Sequence, residues 1–181
     1  PVSTIDSHSG CGKINAAITA QQMIDQYSVD TILLSGIAGG LKTSTKIFDT
    51  VACIASEFRD TDIDIYSNFP VLESPVFQAD SHLIDLAQQA AKAADWPVHF
   101  GLTTTGDIFT DRISPNALCI DMETAAVAHV CYMNRVPFLA IRTISDNTAD
   151  NGQDVIERNF DRAAYRSYRF VMEILSSGMM K

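Results

Sequence analysis

Basic residues are scarce: 13 Lys and Arg stand against 22 Asp and Glu among 181 residues, a formal net charge of −9. Such a surface repels a phosphate backbone, which excludes nucleic acid as a tight partner. The four cysteines, Cys11, Cys53, Cys119 and Cys131, lie far apart with no CxxC pair. That excludes a disulfide framework and fits a reducing cytosol. The histidines His8, His82, His99 and His129 are scattered, and His129 and Cys131, two apart, point to different sides of a helix, so neither a metal nor a cofactor is expected. No apolar run approaches the roughly 20 residues that span a bilayer. The opening PVSTIDSHSG also lacks a charged leader followed by an apolar stretch. The expectation is a cytoplasmic protein with no membrane partner. Repeats, linkers and low-complexity tracts are absent, and 46% hydrophobic residues suffice for one core, so residues 1–181 read as one domain.

What is present alternates between two periods. Ile14 to Tyr27 places Ala16, Ala17, Ala20, Met23 and Ile24 on a helical repeat, and Val29 to Ser35 is a β-branched, apolar run. That strand is expected to stop in a turn, Gly36-Ile37-Ala38-Gly39-Gly40, whose glycines would allow Ala38 and Gly39 to floor a ligand site. Ile47 to Ser56 reads as a strand, and Pro70 and Pro75 mark an irregular stretch after it. Asp80 is positioned to cap a helix carrying Leu83, Leu86, Ala87, Ala90, Ala91 and Ala94 on one face, ended by Trp96-Pro97. Val98 to Thr104 is a further strand. Ala117–Asp121, Thr124–Asn134 and Pro137–Ile144 then read as β-α-β. The last helix should bury Phe160, Ala163, Ala164, Ser167, Val171, Ile174 and Leu175 and stop near Gly178. The pattern predicts an α/β fold, a mostly parallel twisted central sheet flanked by helices.

In a β-α-β unit both strands point the same way, so Asp121-Met122-Glu123 and Arg142-Thr143-Ile144-Ser145-Asp146 should meet at one sheet edge, where ligands bind in open α/β sheets. Two readings of Glu123 and Asp146 follow. They could cap the elements they precede, or they could do chemistry, and the geometry does not separate these. Arg142 could likewise simply neutralise a neighbouring carboxylate. Arg158, Arg162, Arg166 and Arg169 form a stripe interleaved with Glu157 and Asp161, expected to face solvent or an oligomer partner. Ser7 to Ile14 lacks the first glycine and the final Ser or Thr of a P-loop, and Asn15 occupies the third glycine position of a dinucleotide fingerprint, so a sharp turn onto a helix is favoured there.

Five segments in order resemble the nucleoside phosphorylase/nucleosidase superfamily. They are Ser9-Gly10-Cys11-Gly12-Lys13-Ile14-Asn15-Ala16-Ala17, Ser35 to Gly40, Thr105-Gly106-Asp107-Ile108-Phe109, Asp121 to Ala128, and Arg142 to Asp146. Within it the pattern is most similar to the 5′-methylthioadenosine/S-adenosylhomocysteine nucleosidases. The resemblance implies hydrolysis of an N-glycosidic bond with release of adenine, in methionine salvage and methyl-cycle recycling. By it, Asp146 donates a proton to N7 of adenine while Ser145 holds its side chain. Phe109 stacks on the purine, the Thr110 backbone reads its edge, Met122 and Glu123 hold the ribose, and Arg142 steadies Glu123. It also implies a small-molecule nucleoside substrate and a homodimer. These residue types suit the chemistry: bond cleavage puts positive charge on the sugar and negative charge on the base, so an acid that protonates the base lowers the barrier.

Phosphorylases of the superfamily need cationic groups for phosphate, several with an arginine just before the Gly-rich segment. Thr31-Ile32-Leu33-Leu34-Ser35-Gly36 has no basic residue, which favours water as nucleophile. Two departures from the family stand out. Nothing in Pro1 to His8 matches the Glu that activates water, and the stretch from Phe109 to Glu123 is short; Ile37 also replaces a frequent serine. The expectation is that the activating Glu and its strand-turn unit lie upstream of residue 1. The alternatives are a phosphate-dependent phosphorylase, another nucleosidase, or a non-catalytic nucleoside-binding relative.

Overall fold

The computed structural model describes residues 3–41, 45–61, 74–108, 114–147 and 153–177. In chain order these form α1 (Lys13–Tyr27), β1 (Ile32–Gly40), β2 (Thr50–Phe58), β3 (Val76–Gln78), α2 (Ser81–Ala93), β4 (Val98–Thr105), β5 (Ala117–Asp121), α3 (Thr124–Asn134), β6 (Phe138–Asn147) and α4 (Gln153–Ser176). The α/β class and the helix-flanked central sheet are as expected, and the sheet is mixed. Strand β4 pairs in parallel with β2 and β5, and β1 with β6, whereas β1–β5, β2–β3 and β2–β6 are antiparallel. Because β2 also pairs with β6, the order β2-β4-β5-β1-β6 closes on itself, and β3 is added outside the ring. Closure satisfies backbone groups that an open sheet would leave at its edges.

Two sequence expectations are corrected by this topology. Strands β5 and β6 are not parallel neighbours, since β1 lies between them and runs against β5. Their ends meet nonetheless, because β5 pairs only with the last residues of β1: Gly39 faces Ile120 on one side and Asp146 on the other. The Gly-rich stretch is also not a turn, since β1 runs straight through Gly40. Its glycines serve close approach instead. A Cβ on Gly36 would lie 2.1 Å from Arg142 Nη1, and one on Gly40 would lie 2.6 Å from Asn147 Oδ1.

Apolar residues divide between the two faces of the ring. Ala16 and Ala20 of α1 and Ala125, Val127, Ala128 and Cys131 of α3 pack on one side. Leu83, Leu86, Ala87 and Ala90 of α2 and Phe170, Val171 and Ile174 of α4 pack on the other. Each large side chain so buried stabilises by about 1.5–3 kcal/mol. Helix α2 starts as expected, with Asp80 accepting the Leu83 N–H at 3.0 Å. Ser167 fits the apolar face of α4 because its hydroxyl donates to the Ile141 carbonyl (2.8 Å) and accepts from the Gly36 N–H (3.0 Å), tying the helix to β6 and β1. Phe160, expected on that face, is 50% exposed. Asn159 takes the inward position, donating to the Ser145 carbonyl at 2.8 Å, and the next residue points about 100° away.

The arginine stripe of α4 lies partly against aromatic rings rather than free in solvent, with Arg162 over Phe48 at 4.1 Å and Arg166 over Trp96 at 4.5 Å. All four cysteines are free thiols, and Cys53, Cys119 and Cys131 are buried. Among the described residues no helix is long and apolar enough to cross a membrane.

Candidate functional site

Asp121 organises the end of β5. Its carboxylate accepts from the Thr105 hydroxyl (2.6 Å), from the Glu123 and Thr124 N–H groups (3.2 Å each) and from the Thr124 hydroxyl. Asp121 therefore supplies the acceptor for the first turn of α3, and the Glu123 side chain makes no capping bond to its own helix. This removes the capping explanation for Glu123. Its carboxylate turns to two other groups, accepting the Gly12 N–H at the start of α1 through Oε1 (2.9 Å) and Arg142 Nη2 through Oε2 (3.3 Å).

Arg142 comes from the middle of β6 and is almost wholly buried. Its nearest carboxylate is Asp121, with Nε 2.9 Å from Oδ2; Nη1 donates to the Ile37 carbonyl at 3.3 Å. Burial disfavours its charge, but Asp121 and then Glu123 more than offset that and raise its pKa above the ordinary value. The guanidinium thus contacts both Glu123 and Asp121, and Asp121 is a residue to which the sequence reading assigned no task. The signal was there: an acidic residue two before Glu123, closing a strand whose other residues are apolar.

At the end of β6 the register against β1 slips. Ala38 pairs with Ile144 and Gly39 with Asp146, leaving Ser145 as an extra residue. A bulge of this kind re-aims the side chains that follow it. The Ser145 hydroxyl lies 2.6 Å from Asp146 Oδ1 and 3.3 Å from the Ala38 carbonyl, so it fixes one carboxylate oxygen against β1. A Cβ on Gly39 would come within 3.3 Å of Asp146 Oδ2 and 3.1 Å of Ile120, which explains glycine there. Asp146 is partly exposed, and Oδ2 makes no hydrogen bond among the described residues. Met122 is partly buried, its sulfur 3.6 Å from that of Cys11.

The structure thus gathers Ala38, Gly39, Met122, Glu123, Arg142, Ser145 and Asp146 around the ends of β1, β5 and β6. Phe109 and Thr110 lie outside the described residues. Sequence reasoning missed a second group beside Glu123. Lys13 Nζ lies 2.8 Å from both oxygens of Asp60, and Asp107 accepts the Lys13 N–H at 3.0 Å. Chemically, the site offers one carboxylate held between an arginine and a helix N-terminus. It offers a second, partly exposed carboxylate with one oxygen fixed by a hydroxyl and the other open.

Residues 7–176 match the phosphorylase superfamily, and the chain belongs to that family. Its relatives include a 5′-methylthioadenosine/S-adenosylhomocysteine nucleosidase of Hydrogenovibrio crunogenus, 34% identical over 183 residues, covering 93% of this chain and 78% of the relative. Among solved structures, the 5′-methylthioadenosine/S-adenosylhomocysteine nucleosidase of Neisseria meningitidis in complex with methylthio-immucillin-A superposes with a TM-score of 0.85 at 29% identity. That likeness covers 93% of this chain and 79% of the other. The futalosine hydrolase of Helicobacter pylori also gives 0.85, at 25% identity over 93% of this chain and 77% of the other.

Proposed function

We propose that this protein hydrolyses the N-glycosidic bond of 5′-methylthioadenosine and S-adenosylhomocysteine, releasing adenine and serving methionine salvage and methyl-cycle recycling. The observation that carries the reading is that two carboxylates at one sheet end are held differently, Glu123 by Arg142 and Asp146 by Ser145, in a chain 34% identical to a nucleosidase of that specificity. Glu123, paired with Arg142 and the α1 N-terminus, is the anion beside the ribose. It accepts sugar hydroxyls and favours the positive charge that grows on the sugar. Asp146 is the acid. With Oδ1 accepting from Ser145, its proton sits on Oδ2, from which it passes to the departing base and relieves the negative charge there. Ala38, Gly39 and Met122 are assigned to the same site, and the family resemblance assigns Phe109 and Thr110, which lie outside the described residues, to contacts with the base.

Hydrolysis is favoured over phosphorolysis because residues 31–36 carry no basic side chain and Arg142 is already committed to Asp121 and Glu123. The likeness to a futalosine hydrolase makes futalosine a second candidate substrate for the same chemistry.

The protein is proposed to act as a cytoplasmic homodimer. The exposed Ile14 and Ile18 of α1 and Met133 of α3 are the surface that a second copy would cover. Adenine release from 5′-methylthioadenosine, S-adenosylhomocysteine and futalosine in phosphate-free buffer tests the function. Release from the first two is expected, and strict dependence on phosphate would overturn the hydrolase reading.

A further inference from the structure

Helix α1 has Gly12 as its N-cap, which has no side chain to cap it and sits at φ 90°. The first N–H groups of a helix need acceptors from elsewhere. Here two of them find acceptors in distant segments. Gly12 N–H donates to Glu123 Oε1 at 2.9 Å, and Lys13 N–H donates to Asp107 Oδ1 at 3.0 Å.

Asp107 follows the end of β4 and is itself held. Its N–H donates to Asp60 Oδ2 at 2.9 Å, and the Lys13 ammonium bridges Asp60 (2.8 Å) and Asp107 Oδ2 (3.8 Å). The Asp60 side chain is 6% exposed. Burial pushes its carboxyl upward, but the Lys13 ammonium and the Asp107 N–H outweigh burial and hold it below its ordinary value, so the clasp is ionic. The contacts run without a break from Asp60 through Lys13 and Asp107 to the first turn of α1, then through Gly12 to Glu123 and Arg142.

We propose that Asp107 is a positioning residue for the ribose carboxylate. By fixing the first turn of α1 it sets where the Gly12 N–H holds Glu123, and Asp60 and Lys13 act through it. This rests on the nucleosidase reading above. Without Asp107, the first turn of α1 retains Glu123 as its acceptor from another element, and the carboxylate follows the helix rather than the substrate. The effect falls on the ribose and not on the base.

Binding of free adenine and of a non-hydrolysable 5′-thioadenosine analogue that retains the ribose hydroxyls, compared in the unsubstituted protein and in Asp107→Ala, tests this. The expected result is about a tenfold loss of affinity for the analogue, the scale of a lost helix cap, with adenine affinity within about twofold. Asp107→Asn, which keeps an acceptor oxygen, should restore most of the analogue affinity. If Asp107→Ala does not fold, the same contrast is read in Asp60→Asn, with about a threefold loss for the analogue and none for adenine. Equal weakening of both ligands, or of neither, overturns the positioning role while leaving the nucleosidase reading intact. Failure of the unsubstituted protein to bind either ligand overturns that reading and this inference with it.

Discussion

Arg142 and Asp121 form an ion pair of 2.9 Å inside the closed sheet, with only 4% and 1% of their side chains exposed. Two charges so buried are expensive to desolvate, and removing one leaves the other without compensation. Arg142→Leu should therefore cost about 3–5 kcal/mol in chemical denaturation, well beyond the loss expected from packing of similar volume. Arg142→Lys should also be impaired, because an ammonium cannot span Asp121, Glu123 and the Ile37 carbonyl as the guanidinium fork does. A Lys variant of full stability and activity would contradict this.

Gly36 offers a subtler probe of the same arginine. The Cβ of an alanine there would meet Nη1 at 2.1 Å and Cζ at 3.2 Å, so the guanidinium must shift. Gly36→Ala should lose about 1–3 kcal/mol, the usual cost of overpacking, and should weaken nucleoside binding more than adenine binding because Glu123 is displaced with its partner. Equal thermal midpoints for the two proteins would show that the arginine has room to spare.

His129 gives a pH dependence with a defined sign. Its ring stacks on Phe77 at 4.9 Å between centroids, and burial lowers its pKa below 6.5. The folded protein thus binds this proton less readily than the unfolded chain. Its contribution to stability is fully present above about pH 6.5 and is lost as pH falls through the lower folded value. Thermal unfolding between pH 7.5 and 5 should show this loss, and His129→Phe should flatten it. A slope unchanged by the substitution would place the dependence elsewhere.

Much of this was legible in the sequence because it depends on local pattern. Asp80 three residues before Leu83, a strand starting at Val98 and the apolar repeat of α4 beyond Asn159 are set by neighbours in the chain and appear as read. The errors fall where distant segments decide. The Gly-rich residues 36–40 look like a turn, but they are extended backbone over which Arg142 and Asn147 pack. The closing of β2 onto β6 depends on pairing across some ninety residues that no local period encodes. Within the site, Glu123 and Asp146 lie near one sheet end, but through β1 between their strands rather than by parallel pairing, and Arg142 reaches Glu123 from the middle of β6. The geometry adds what composition could not: Asp121, not Glu123, serves the first turn of α3, and Asp107 with Glu123 caps α1 from afar.

Asp146 is proposed to deliver the proton to the leaving base. This role is tested most directly by Asp146→Asn, an isosteric change that can keep the bond to Ser145 but cannot donate an acidic proton. Turnover of 5′-methylthioadenosine and binding of its non-hydrolysable analogue should be measured side by side. Analogue binding is expected to stay within about threefold of the unsubstituted protein while kcat falls about 10²–10⁴-fold, the usual contribution of a general acid. A variant that binds equally well and retains kcat within about threefold would contradict this role.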